Sequence, residues 1–88
     1  MLTKGMAIAW GQHNIQVNGL GPGYFMTELT EALVRDVEFT RWLVGRTPSR
    51  RWGDVQDLLG AAVFLASDAS NFVNGHILYV DGGVTAML

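Results

Sequence analysis

The 88-residue sequence contains no cysteine, a single lysine and only two histidines. Without cysteine there is no disulfide framework and no thiolate metal site, which fits a reducing compartment and an expected cytoplasmic location. His13 and His76 lie too far apart in sequence to suggest a histidine-rich metal cluster. Charge is also sparse: 16 % of residues are charged and the net charge is -2, with no block of one sign. That excludes an electrostatic grip on nucleic acid or on an anionic membrane. The short basic group Arg46, Arg50 and Arg51 reads as a solvated, proline-containing loop. Long hydrophobic runs are missing too. The stretch from Leu58 to Ala66 is interrupted by Gly60 and is far too short for a bilayer, and Met1-Leu2-Thr3-Lys4 opens no signal peptide.

Apolar content, by contrast, is high. Hydrophobic residues make up 49 % of the chain, whereas a chain of this size buries only about 60 to 65 % of its unfolded surface. Such a composition suits a piece of a larger core better than a self-sufficient miniature.

The order of elements follows from periodicity and caps. Leu2, Met6, Ala9 and Trp10 recur at helical spacing over Met1–Trp10, with Gly11 as the expected C-cap and no start signal ahead of Met1. Residues 15–20, with β-branched Ile15 and Val17, read as a strand that Gly21-Pro22-Gly23 ends. Thr27 is placed to cap a helix over Glu28–Arg35, Asp36 one over Val37–Val44, and Asp54 the clearest helix, which Ser67 to Asn71 stop. Ile77–Val80 is apolar throughout, as expected of a strand buried on both faces, and Asp81-Gly82-Gly83 closes it in a turn. Strand, helical crossover and strand make a right-handed βαβ unit, so the fold class is α/β with a parallel sheet. Two parallel strands leave an open edge that invites association.

Three ordered motifs carry a family resemblance across essentially the whole chain. Val17-Asn18, Pro22-Gly23 and Thr27 resemble the V-N-x-x-x-P-G-x-x-x-T segment of short-chain dehydrogenases/reductases. Ala62 to Ser70, Asn74-Gly75-His76 and Val80-Asp81-Gly82-Gly83 are similar to that family's closing helix and last strand. Lys4-Gly5-Met6-Ala7, leading through Trp10-Gly11 to Asn18, resembles the end of the helix that bears its active-site lysine. Within the family, Arg51-Trp52-Gly53-Asp54 and the run from Asn74 to Gly83 most resemble the gluconate 5-dehydrogenases, which interconvert gluconate and 5-ketogluconate. The resemblance implies that residues 1–88 are the C-terminal segment of a Rossmann-like, doubly wound NAD(P)-binding domain whose N-terminal half is not in this sequence.

Ligands in open α/β sheets sit beyond the carboxyl ends of strands, where Gly21 to Thr27 fall. Pro22 stiffens this loop, Gly23 allows close approach, and Thr27 offers a hydroxyl near a helix N-terminus. The resemblance implies that Pro22, Gly23, the backbone of Phe25 and the Thr27 side chain flank the nicotinamide and pyrophosphate of NAD or NADP. From the residues alone, a capped turn without a ligand is the alternative. The segment from Glu28 to Arg50 corresponds to the family's substrate-covering loop. Tyr24, Trp42 and Arg46 are then candidates to touch a sugar acid, Arg46 by pairing its carboxylate; packing is the alternative role for each. Asn18 is expected to pin backbone through its side chain, and His76 to be structural.

The family's tyrosine-x-x-x-lysine pair does not occur, and Lys4 falls past the position of the catalytic lysine. The glycine-rich dinucleotide loop is absent as well. These 88 residues are therefore expected to be inactive alone, to bind no cofactor tightly, and to pair with the missing half or with another copy as part of a homo-oligomer. The rival reading is a small non-catalytic module that associates through its open strand edge. Leu2, Met6, Leu59, Val63 and Val80 are expected in buried or interfacial positions. Val80→Asp should then abolish soluble assembly in size-exclusion chromatography, and a soluble, unchanged oligomer would refute this placement.

Overall fold

The computed structural model describes residues 1–87. Helix α1 spans Leu2–Trp10 and runs into a single 3₁₀ turn, Gly11–His13. The left-handed residue that ends this unit is Asn14, at φ 60°, and not the expected Gly11, which stays right-handed at φ -57°. Asparagine tolerates that conformation through its short polar side chain. A Cβ at Gly11 would instead come within 3.3 Å of the Asn74 amide nitrogen, so the glycine serves close approach.

Strand β1 is Gly19–Pro22, later than the sequence pattern suggested. Val17 and Asn18 precede it because asparagine side chains take over part of their pairing with residues 73–76, the Val17 carbonyl alone accepting a backbone bond there, from the Gly75 N–H. The Val17 N–H donates to Asn74 Oδ1 at 2.9 Å, and Asn18 Oδ1 accepts from the His76 N–H at 3.0 Å. The ladder proper begins only at Gly19, opposite Ile77, and runs to Pro22 opposite Val80, parallel throughout. Pro22 can end it because the parallel bond beyond is made by the Gly23 N–H, which donates to the Val80 carbonyl at 3.0 Å.

The expected helix over Glu28–Arg35 is two pieces, a 3₁₀ turn Glu28–Thr30 followed by α2, Glu31–Arg35. Thr27 and Thr30 form a reciprocal capping box, in which Thr30 Oγ1 accepts from the Thr27 N–H at 2.9 Å. Helix α3, Val37–Arg46, starts at Asp36, whose carboxylate accepts from the Glu38 and Phe39 N–H groups. Arg46 is therefore the last helical residue and not part of the loop that holds Arg50 and Arg51. Helix α4, Val55–Ala66, has Asp54 as its cap, with the Asp57 carboxylate reaching back to the Asp54 N–H at 2.8 Å. It crosses over to strand β2, Ile77–Val80, and packs on the two-stranded sheet.

The interior is small. Among the described residues the buried apolar side chains are Ala7, Phe25, Leu43 and Trp52, and only Leu43 is completely enclosed. Strand β2 is not buried on both faces: Tyr79 is 58 % exposed. The stripe on α4 also faces outward at Val55, Leu59, Val63 and Phe64, and Leu2 is 74 % exposed on α1. The accessible surface is 6386 Å², against about 5,100 Å² for a compact monomer of this mass. The radius of gyration is 15.7 Å, against about 12 Å for a compact chain of this length. The molecule is elongated, 50 × 25 × 20 Å, and it leaves apolar helix and strand faces uncovered.

Leu43→Ala removes the one fully enclosed side chain and should lower the unfolding free energy by about 2 to 5 kcal/mol in urea titration. Asp54→Ala should cost about 1 kcal/mol, so a larger loss from the cap than from Leu43 would contradict this assignment of the core.

Candidate functional site

The loop that leaves β1 is anchored on one side only. The Gly23 N–H reaches Val80, the Tyr24 carbonyl accepts from the Gly53 N–H at 2.7 Å, and the Met26 N–H donates to the Gly53 carbonyl at 2.8 Å. Thr30 Oγ1 donates to the Phe25 carbonyl at 2.7 Å. Residues Gly23 to Met26 are thus held against residues 53 and 80, and Phe25 turns inward against Gly53. A Cβ on Gly53 would lie 2.7 Å from the Phe25 ring, and one on Gly23 would lie 2.7 Å from the Asp81 Cα. Both glycines are required by close backbone approach. With that side occupied, Pro22, Tyr24, Met26 and Thr27 face outward.

Among the described residues three openings touch the loop, one of about 240 Å³ between Tyr24-Phe25 and residues 51–53 and 80–82 and two on its outer side. One of these two, of about 260 Å³, is lined by Pro22, Gly23, Tyr24, Tyr79, Asp81, Val84 and Thr85. The other, of about 290 Å³, includes Met26, Thr27, Glu28 and Glu31. The opening at Pro22-Gly23 offers apolar surface for a flat ring with the Asp81 carboxylate in its wall, and the exposed Thr27 hydroxyl suits an anionic oxygen. Glu28 and Glu31 stand on the same wall as Thr27, so positive charge for a pyrophosphate has to come from residues other than these.

The three candidate substrate residues, far apart in sequence, are close in space. The Tyr24 ring stands edge-on to Trp42 with centroids 6.4 Å apart, and the Arg46 guanidinium carbon lies 4.8 Å above the Trp42 ring. Arg46 and Trp42 meet because they are four residues apart on one face of α3. Tyr24 joins them because the Phe25–Gly53 bridge brings its loop under that helix. Arg46 Nε is buried without a hydrogen-bond partner among the described residues. Sequence reasoning passed over the support beneath. Phe39 lies 5.4 Å from Trp42 and 6.0 Å from Trp52, and Trp52 Nε1 donates to Thr40 Oγ1 at 3.3 Å. The tryptophan content of so short a chain was the available signal.

Among the described residues the ion pairs, Glu31–Arg35 and Arg51–Asp57, are exposed. Arg51 Nη1 donates to Asp57 at 2.7 Å; this pair lowers the Asp57 pKa and raises that of Arg51. Asp81, at the end of β2, accepts from the Thr85 hydroxyl at 2.6 Å, from the Thr85 N–H at 3.0 Å and from the Gly83 N–H at 2.9 Å. These bonds to the ionised form, that of the Thr85 hydroxyl foremost, hold its carboxyl below the ordinary range. The expected turn at Asp81-Gly82-Gly83 is therefore an aspartate-centred one, with Gly82 and Gly83 at positive φ. Among the described residues no cluster of histidine and acidic side chains is arranged to hold a metal ion, and no helix is long and apolar enough to cross a membrane.

Comparison with known proteins extends over the same residues. A family model described as enoyl-(acyl carrier protein) reductase matches residues 1–85. The chain is 66 % identical to gluconate 5-dehydrogenase of Gluconobacter oxydans over 87 residues, which cover 99 % of this chain and 34 % of that protein. It is likewise 66 % identical over 84 residues to the 5-keto-D-gluconate 5-reductase of Escherichia coli K12, covering 96 % of this chain and 33 % of that one. A crystal structure of a gluconate 5-dehydrogenase from Burkholderia cenocepacia, in complex with NADP and tartrate, superposes with a TM-score of 0.94. It shares 60 % identity and covers 100 % of this chain, which covers 34 % of it. The chain thus spans about a third of the length of the relatives it matches.

The depressed Asp81 pKa fixes the sign of one pH effect. Its contribution is fully present above the unfolded aspartate value of about 3.9 and is lost as pH falls through the lower folded value. Thr85→Val should raise the Asp81 pKa toward the ordinary range in a carboxyl NMR titration. An unchanged titration would show that the Thr85 hydroxyl does not hold it.

Proposed function

This chain belongs to the short-chain dehydrogenase/reductase family, and from that premise we propose that it serves a dehydrogenase interconverting gluconate and 5-ketogluconate with NADP(H). In this reading it forms the C-terminal segment of the NADP-binding domain and supplies the nicotinamide-side loop and part of the substrate cover. The observation that carries the substrate side is the group formed by Tyr24, Trp42 and Arg46 beside the Pro22–Thr27 loop. A polyhydroxy acid offers C–H faces to an aromatic ring and a carboxylate to a guanidinium.

The bound dinucleotide supplies hydride transfer. Pro22 and Gly23 would shape the edge beside its flat ring, the Phe25 backbone would close the loop, and the Thr27 hydroxyl would be available to a phosphate oxygen. None of these groups can move the proton of the alcohol. That task falls to the tyrosine and lysine of a Tyr-x-x-x-Lys pair, which residues 1–88 do not contain. The relatives are three times as long, and the cytoplasmic oligomer expected from the family is part of this proposal.

The test joins residues 1–88 to the upstream two-thirds of the Gluconobacter relative. The joined protein should reduce NADP on gluconate, whereas residues 1–88 alone should show no turnover. Arg46→Ala should raise KM for gluconate about tenfold to a hundredfold with a smaller change in kcat, as expected for a lost charge-assisted bond to a ground-state carboxylate. An unchanged KM would remove Arg46 from the substrate site.

A further inference from the structure

Two of the four asparagines, Asn18 and Asn74, are followed by glycine. These two face each other. Asn18 Nδ2 donates to the Val73 carbonyl at 2.9 Å and its Oδ1 accepts from His76; Asn74 Oδ1 accepts from Val17, and its Nδ2 donates to the Ala7 carbonyl of α1 at 3.1 Å. The following glycines complete the lock. The Gly19 N–H donates to the His76 carbonyl and the Gly75 N–H to the Val17 carbonyl, both at 2.9 Å. Each Asn-Gly pair is thus held by the segment that carries the other.

An Asn-Gly sequence is chemically labile for a steric reason. With no side chain on the next residue, its backbone nitrogen can attack the asparagine side-chain carbonyl. We propose that Asn18-Gly19 and Asn74-Gly75 are a coupled pair of deamidation sites, protected while the clamp is closed and released together when it opens. In the first step a bond forms between the glycine nitrogen and the asparagine Cγ. The Cγ–Nδ2 bond breaks, and the glycine N–H proton leaves with the amide as ammonia, giving a succinimide. Water then opens the ring to aspartate or isoaspartate, so the net change is amide plus water to acid plus ammonia.

In the closed form both nucleophilic nitrogens are engaged in backbone hydrogen bonds and both leaving amides donate to carbonyls. Attack therefore requires local opening. The product cannot close again. A carboxylate only accepts, so at position 74 it would face the Ala7 carbonyl, and at position 18 the Val73 carbonyl, with two acceptors opposed. Isoaspartate further lengthens the backbone within the register that begins at Gly19. Because β1 leads directly into the Pro22–Thr27 loop, reaction at either asparagine loosens the strand that positions it.

The test is peptide mass spectrometry on the joined protein, residues 1–88 behind the upstream two-thirds of the Gluconobacter relative, after incubation in buffer and in urea, with aspartate and isoaspartate separated chromatographically. Asn14, followed by Ile15, and Asn71, followed by Phe72, are internal controls that should stay intact. In urea Asn18 and Asn74 should deamidate together; in buffer both should be slower by about tenfold or more. Equal rates in the two conditions would overturn the protection. Asn74→Asp should accelerate reaction at Asn18 in buffer toward its urea rate, with faster amide exchange at Gly19 and His76. An unchanged Asn18 rate in that variant would overturn the coupling, and the wild-type comparison stands whether or not the variant folds.

Discussion

The reciprocal asparagine clamp between Val17–Gly19 and Val73–His76 is the constraint on which the rest of the structure depends. It joins segments 55 to 58 residues apart in sequence, and through the Asn74 amide it reaches α1, 67 residues away. Everything between its two arms is a closed loop of chain: α2, α3, α4 and their connections. The parallel ladder starts where the clamp ends, so the register of β1 against β2 follows from it, and the Pro22–Thr27 loop emerges at a defined height beside Asp81. Asn18 is half-buried and Asn74 exposed, yet both amides satisfy their donor and acceptor sides, and the bonds to the Val73 and Ala7 carbonyls are made in partly dehydrated places, where leaving them unmade is costly.

Around this lock the hydrophobic interior is thin. Phe25 lies against Gly53, Trp52 against Phe39 and Ala7 close to Gly75, while Leu43 on α3 is the one described apolar side chain with no exposure. The sheet itself rests on α4, yet much of the apolar stripe of that helix and the ring of Tyr79 remain outside. Polar connections therefore carry an unusual share of the organisation, while the apolar faces await cover. This balance accords with a chain that spans about a third of its relatives: local caps and the clamp shape it, and the area that would stabilise it is on its surface.

Much of this was legible in the sequence. The helices begun by Asp36 and Asp54 start where the caps predict, because each carboxylate bonds N–H groups only two or three residues ahead. Asn18 pins backbone as its residue type suggested. The placement of β1 at residues 15–20 failed because alternating β-branched residues mark an extended chain without saying what pairs with it; Asn74 supplied the pairing where a strand was expected. Tyr24, Trp42 and Arg46 were individually recognisable, but their convergence and the Phe39–Trp52 support beneath them were not.

The sequence by itself determined the elements whose hydrogen bonds close within a few residues, and the motifs that mark the family. Only the tertiary structure decided the strand register, the opposition of the two Asn-Gly pairs and the position of Arg46 over Trp42 beside Tyr24. Local bonds are written in neighbouring residues, where type and spacing suffice. The others join residues up to 67 positions apart, and which distant donor meets which acceptor is settled only when loop closure and packing have brought them together.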